Sequence, residues 1–407
     1  MSLKTIALSG YCDFRVFADQ CGCNRAPFFV YILSFGAFVL GTSEFMVAGM
    51  MPSLMEAFSI SEEMAGGLVS LYALGMVVGG PVLAGVLTRE GVSGKRILLG
   101  AMGNYTVAQC VAALGDDYGV MAAFRFLAGI AASACLGTSL AMSIESVGST
   151  LSGKASAVVL TGLMLSPVLG VPLAMFIDQF FGWRASFLSV AAGALLCTVL
   201  IAFLGPRDVR GSRSVIAQDV LVLKSGLLWG CYFLGCLLIG ATFAGFSFFS
   251  VILSKVSGFS GLVVPWVLGA YGVANVLGNA FFGRFSDRSR HGGLVWGTGI
   301  MVFSFLIFAS FADAPVVAVV CVLLIGCTGV SMNPSVLSLI GRVVQPNALV
   351  STLYVSVVNV GLAGGAWISG WGVDEGYGLN FPLWVGFALS LFALFFVLFL
   401  LRRIDRS

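Results

Sequence analysis

The chain has 407 residues, 59% of them hydrophobic and only 10% Asp, Glu, Lys or Arg. Soluble domains carry about a quarter of their residues as those four types, so a soluble enzyme is excluded, as is a disordered chain, which would need high charge and low hydrophobicity. A net charge of +3 scattered over short loops also excludes a basic nucleic-acid-binding face. At about 20 residues per crossing, a chain with this composition has room for about 12 membrane spans and short loops.

Apolar runs long enough to cross a bilayer occur at 27–51, 64–87, 97–114, 118–143, 156–177 and 185–204, and again at 225–253, 263–284, 293–312, 315–340, 348–371 and 382–401. They are numbered here as spans 1 to 12. Each exceeds the roughly 10 residues of a barrel strand and lacks strict alternation, so all are expected to be helices. The first run is too long for a signal-peptide core and has no small-residue cleavage site after it, so it is expected to stay in the mature protein. The polar stretch Gly205–Lys224 divides the chain into two stretches of nearly equal length, 27–204 and 225–401, each with six spans. That symmetry predicts an internal duplication. The expected plan is a tail (1–26), a six-helix bundle (27–204), a linker (205–224), a second six-helix bundle (225–401) and a tail (402–407). The predicted fold is thus all-α and integral to the membrane, with 12 transmembrane helices in two pseudo-symmetric bundles.

With both termini cytoplasmic, all of the 21 basic residues except Arg125, Arg184 and Lys255 fall on the inner side. The outer loops are acidic, carrying Glu56, Glu62, Glu63, Asp116, Asp117, Asp178, Asp313, Asp374 and Glu375. This positive-inside bias sets the expected orientation. None of the 10 cysteines falls in an outer loop, so reduced thiols packing as small apolar residues are expected. The pair Cys21 and Cys23 has no second pair and no His beside it, and the single His291 sits in an inner loop; no metal site is expected.

Two ionisable residues lie well inside predicted helices. Glu44, in GTSEFMVAGMMP of span 1, costs several kcal/mol there unless it is paired, hydrated or protonated, and such residues are usually functional. The plainer alternative is a structural carboxyl satisfied within its helix. Arg125, in YGVMAAFRFLAGIAAS of span 4, lies at the same depth: each residue is seven positions from the outer end of its span, roughly 10 Å at about 1.5 Å per residue. Equal depth permits contact. Burial favours a neutral carboxyl and a nearby guanidinium favours an ionised one, so together they form a workable proton switch. The alternative for Arg125 is a packing anchor that bonds backbone carbonyls.

Span 5 reads GLMLSPVLGVPLAMF. Its Gly162, Ser166, Pro167, Gly170 and Pro172 combine close helix approach with missing backbone donors, as a hinge requires. Two inner loops, Gly79–Arg96 and Gly278–Gly293, occupy matching places in the halves. In the second, Gly283, Arg284, Asp287 and Arg288, with Arg290, are expected to form an ionic latch at a cytoplasmic gate; the alternative is ordinary positive-inside charge. The second half also carries neutral polar groups. Tyr271, Asn275 and Asn279 are four apart and share a face of span 8. Asn333 and Ser335 flank Pro334 in span 10, and Thr352, Ser356 and Asn359 share a face of span 11. With the aromatic run Phe243, Phe246, Phe248 and Phe249 of span 7, these form a candidate cavity for neutral or amphipathic small molecules. The alternative is interhelical hydrogen bonding.

These residues resemble the major facilitator superfamily, specifically its 12-helix drug:proton antiporters, over about residues 27–401. Arg125-x-x-x-Gly129 is similar to the family's span 4 motif, whose arginine is linked to proton coupling. Gly162-x-x-x-Ser166-Pro167-x-x-Gly170-Val171 is similar to the span 5 antiporter motif, with Ser and Val replacing two usual glycines; that motif separates exporters from importers. Gly283-Arg284-x-x-Asp287-Arg288 is similar to the loop motif. The first-half copy keeps Gly85 but has Arg89 where the family usually has Asp, so its charge relay is not expected. GTSEFMVAGMMP and Phe181–Phe187 (FGWRASF) resemble the subgroup of sugar-, nucleoside- and chloramphenicol-efflux proteins. The resemblance implies a proton-coupled exporter acting by alternating access in the inner membrane, taking small molecules and protons as its partners and working as a monomer. The alternatives are an uncoupled or uptake transporter of sugars or nucleosides, or a non-transporting membrane sensor. No enzymatic activity, cofactor or nucleic-acid partner is expected: no nucleophile–base pair stands out, and no GxxxxGK[ST] nucleotide loop is present.

Overall fold

A computed structural model describes residues 28–87, 93–147, 151–206, 225–288, 292–344 and 348–404, with the backbone alone for 81–87, 283–288 and 348–349. The uninterrupted spans are Glu62–Leu87 (2), Gly94–Leu114 (3), Tyr118–Glu145 (4), Trp183–Leu204 (6), Val264–Arg288 (8), Gly292–Ser310 (9) and Phe381–Ile404 (12). The other spans are broken, and local chemistry accounts for several of the breaks. Span 1 runs Phe28–Gly49 and restarts as Met51–Phe58, where Pro52 fits the first turn because its missing N–H is not needed there. Span 5 runs Ser152–Leu165, loosens into a π turn at Ser166–Gly170 and resumes as Val171–Phe181. Pro167 and Pro172 withhold two N–H donors in this stretch, and the N–H of Val171 reaches back five residues to the Ser166 carbonyl. Span 7 breaks after Phe246 and continues as Phe249–Lys255. Span 10 runs Pro315–Thr328, tightens over Val330–Met332 and continues as Asn333–Val343 with Pro334 in its first turn. Span 11 runs Ala348–Gly372 and ends in the turn Val373–Tyr377, where Gly376 adopts φ 88°.

Among the described residues, eleven spans are long and apolar enough to cross a membrane. The remaining one, span 8, has the length at 25 residues, but Tyr271, Asn275 and Asn279 lower its apolarity. Large apolar side chains such as Phe203, Trp296 and Val316 point outward at more than 70% exposure, as a lipid-facing surface requires and a water-facing one does not.

The packing repeats. In the first half span 1 packs on 5 and 6, span 2 on 4, and span 3 on 4 and 6. In the second half span 7 packs on 11 and 12, span 8 on 10, and span 9 on 10 and 12, so every pair recurs six spans later. The two halves meet through span 2 against span 11 and span 5 against span 8, which are the same pair under that exchange. The chain is therefore two pseudo-symmetric six-helix bundles around a shared midline.

Candidate functional site

Arg125 is fully buried, the one charged side chain in that class among the described residues. Gly129, one turn further along span 4, explains how it is seated. A Cβ at Gly129 would strike the backbone carbonyl of Tyr72, so its absence lets span 4 lie directly against span 2. That approach places the Arg125 guanidinium 4.3 Å from the Tyr72 ring centroid, within cation–π range. Nη1 of Arg125 donates to the Ser43 carbonyl at 3.0 Å and to Ser43 Oγ at 3.1 Å, and Nε donates to the Leu68 carbonyl at 3.5 Å. Ser43 Oγ also accepts from Gln109 Nε2 of span 3. Tyr72 donates to the Leu40 carbonyl at 3.4 Å. Four spans thus converge on Ser43.

Glu44 follows Ser43 and is half-buried. It lies near Arg125 and Tyr72, yet among the described residues no carboxylate lies within the 4.0 Å that defines an ion pair with Arg125. The structure brings the two membrane-embedded ionisable residues into one neighbourhood without joining them. Arg125 is held by backbone and hydroxyl oxygens, not by the carboxyl of Glu44.

In the second half, Asn275 is buried and accepts from Ser331 at 3.4 Å, while Ser331 also donates to the Asn275 backbone carbonyl at 3.0 Å. Asn333 Oδ1 accepts from Tyr354 at 2.6 Å, tying span 10 to span 11. Asn359 is buried and donates back to the Val355 carbonyl. Asn279 and Ser356 are half-buried, Thr352 is exposed, and Thr352 and Ser356 face Gly80 of span 2. Phe243, Phe246 and Tyr271 are buried. They pack as a cluster with Phe45 of the first half: Phe45 stacks on Phe243 at 5.8 Å and meets Phe246 edge-on at 6.1 Å, and Phe246 lies 4.8 Å from Tyr271. Through Phe45 these rings pack one half against the other.

Further contacts between halves lie on the side where the sequence puts the outer loops. Ser250 donates to the Ala48 carbonyl, Gln179 to the Gly261 carbonyl, and the Glu63 backbone N–H to Asp374. Lys255 pairs with Glu62 at 3.7 Å. That side of the molecule is closed.

The span 5 motif has two faces. Gly162 abuts the Ser34 carbonyl, Ser166 Oγ donates to the Phe38 carbonyl at 3.1 Å, and Gly170 abuts Thr42, so this face is fitted to span 1. Pro167 and Pro172 face span 8, against Gly272 and Gly269. The π turn therefore sits where one bundle meets the other. The helix of span 8 passes through Gly283 and continues to Arg288, but the side chains of Arg284, Asp287 and Arg288, along with Arg290 and His291, lie outside the described residues. So do residues 1–27, 88–92 and 207–224. Cys110, Cys135, Cys197, Cys231, Cys236, Cys321 and Cys327 are free thiols.

Sequence reasoning missed Ser43, Tyr72, Tyr105, Gln109, Ser331 and Tyr354. Gln109 left a readable signal, an amide in the apolar run of span 3. Tyr72 and Tyr105 left none, because a tyrosine in a span looks like any other aromatic.

Two repeated bundles, the first of them holding a buried cation and an embedded carboxyl, define a secondary-transporter architecture. The model of the Major Facilitator Superfamily matches residues 33–363 and 263–407, and the chain belongs to that family. It is 29% identical over 380 residues to a chloramphenicol resistance protein of Streptomyces lividans, covering 90% of this chain and 95% of that protein. It is 28% identical over 379 residues to a probable sugar efflux transporter of Helicobacter acinonychis, covering 91% and 94%. Among solved structures, the fold matches a bacterial homolog of the human lysosomal transporter Spinster, inward-facing and unoccupied, with a TM-score of 0.72 at 14% identity over 93% and 96% of the two chains. It also matches a D-xylose-proton symporter with a TM-score of 0.70 at 19% identity over 92% and 97%. The protein is a multi-pass membrane transporter, and its relatives include efflux proteins.

Proposed function

We propose that the protein is a proton-coupled exporter of small neutral or amphipathic compounds, antibiotics such as chloramphenicol among them. The observation that carries this reading is the half-buried Glu44 beside, but not joined to, the fully buried Arg125. A carboxyl that is not locked in an ion pair is free to take up and release a proton, and the fixed guanidinium beside it opposes its neutral form. Substrate entering between the bundles competes with that proton, and the rocking of the two halves moves both across the membrane. The division into 27–204 and 225–401, the cytoplasmic termini, the inner-membrane location and monomeric action belong to this reading. So do the roles of the span 5 hinge and the cytoplasmic latch. The chloramphenicol-resistance relative supports a drug substrate, and the sugar-efflux relative supports sugars as a second class.

The test is transport into proteoliposomes under an imposed pH gradient, with chloramphenicol and a panel of sugars and nucleosides as probes. Wild type should accumulate a probe only when the gradient is present. Glu44→Gln should lose the gradient dependence while remaining folded. Normal gradient-driven transport by Glu44→Gln overturns the coupling assignment, and gradient-independent flux by wild type leaves an uncoupled transporter.

A further inference from the structure

Three buried polar atoms around Ser43 make no hydrogen bond of good geometry: Arg125 Nη2, Gln109 Oε1 and Tyr105 Oη, the last of which lies beside Ser43, Gln109 and Tyr72. Arg125 and Tyr105 are 0% exposed and Gln109 is 1%. A buried polar atom left unpaired costs about 1–3 kcal/mol, and more on a charged group, so three around one serine mark an occupied place. Their chemistry is complementary to one molecule. Arg125 Nη2 only donates, Gln109 Oε1 only accepts, and the Tyr105 hydroxyl does either. A water that accepts from Arg125 and donates to Gln109 and Tyr105 satisfies all three, and about three hydrogen bonds is the usual number for a buried water.

We infer that Tyr105, Gln109 and Arg125 hold an ordered water against Ser43, and that Tyr105 and Gln109 are positioning residues for the Glu44 proton site. The water completes the shell of the guanidinium and so sets the field that Glu44 meets. The titratable and charged groups near Glu44 are few. Span 4 brings Arg125, span 2 brings Tyr72 and span 3 brings Tyr105. Span 5 places Ser166 against span 1 near Phe38, and its Asp178 is bound to Ser53 in the continuation of span 1. Span 6 places Cys197 at Ile32, more than two helical turns from Glu44, and span 7 adds phenylalanines. With so few neighbours, the water and its two neutral holders are a large part of the local field. The positioning role rests on the proton-coupled reading of Glu44; the water site itself does not.

The experiment uses the full chain in lipid nanodiscs and infrared difference spectroscopy, which needs no substrate. Wild type minus Glu44→Gln isolates the Glu44 carboxyl band across a pH titration, and exchange into H₂¹⁸O marks bands of bound water. In Tyr105→Phe, Gln109→Leu and the double variant, the ¹⁸O-sensitive water band should be lost. The midpoint of the Glu44 band should move by about one pH unit in the double variant. Asn275→Leu, a comparable change in the other half, should move neither. If the water band persists in the folded double variant, Tyr105 and Gln109 do not hold the water and the site assignment is wrong. If the water band is lost but the midpoint stays, the positioning role is wrong. If no carboxyl band distinguishes wild type from Glu44→Gln at any pH, the proton-site reading of Glu44 fails and only the water site survives.

Discussion

The crossing of spans 2 and 4 in the first half and of spans 8 and 10 in the second are two copies of one arrangement. In the first, Gly129 lies against the Tyr72 carbonyl; in the second, Gly326 lies 2.8 Å, measured from an added Cβ, from the Tyr271 carbonyl. One turn before each glycine stands a fully buried residue, Arg125 in one copy and Val322 in the other. The aromatic partners diverge accordingly. Tyr72 receives a guanidinium on its ring, whereas Tyr271 packs among Phe246 and Phe249. The glycine–tyrosine contact is thus packing common to both halves, and the cation is an addition made in one. A backbone crossing tolerates either residue because the glycine supplies the close approach. The charge requires a nest of oxygens that only the first half builds, around Ser43. In the second half the comparable polar groups are neutral and bonded in pairs: Asn275 with Ser331, and Asn333 with Tyr354.

Copying the charge to the other half should do the most damage. Val322→Arg places a guanidinium where no such oxygens converge, and an unpaired buried charge costs about 3–5 kcal/mol; loss of a monodisperse, folded peak in detergent is the expected readout. Copying the valine back should separate packing from function. Arg125→Val should fold, because span 10 already accepts valine at the equivalent place. It should also lower gradient-driven transport about 100-fold, the scale of losing a group that assists proton transfer. Undiminished transport would reduce Arg125 to a packing residue and erase the functional half of the comparison.

Adding side chains at the shared glycines should affect both halves alike. Gly129→Leu and Gly326→Leu both drive a side chain into a tyrosine carbonyl, and overpacking costs about 1–3 kcal/mol, read as a lowered thermal unfolding midpoint. A large difference between the two would show that the crossings are not equivalent. The smallest effect is expected at Lys255→Ala. Its pair with Glu62 is 49% and 23% exposed, so the loss should stay within about 1 kcal/mol.

Glu44 and Arg125 were conspicuous in the sequence because a charge in an apolar run is conspicuous against any background. Equal depth permitted a shared neighbourhood, and the structure supplies it. What depth could not say is that the guanidinium bonds Ser43 rather than Glu44; that choice depends on side-chain direction, which spacing along one helix does not encode. The span 5 motif was legible as pliable, but its two faces were not: glycines toward span 1 and prolines toward span 8 is a statement about neighbours. Phe243 and Phe246 read as cavity lining. In the structure they are buried and pack against one another and against Phe45 of the first half, a contact between bundles that spacing along one helix does not encode.

The sequence by itself determined that the protein lives in lipid, that it has two six-span halves, and that two ionisable residues sit at one depth. All of these follow from where charge is absent and where it interrupts an apolar run, and hydropathy records that directly. Tertiary structure alone decided that Tyr72, Gln109, Tyr105 and Ser43 surround Arg125, and that Val322 stands in its place in the other copy. The physical reason is that these contacts join residues on different helices. Their proximity comes from backbones brought together at Gly129 and Gly326, and no single helix carries that information.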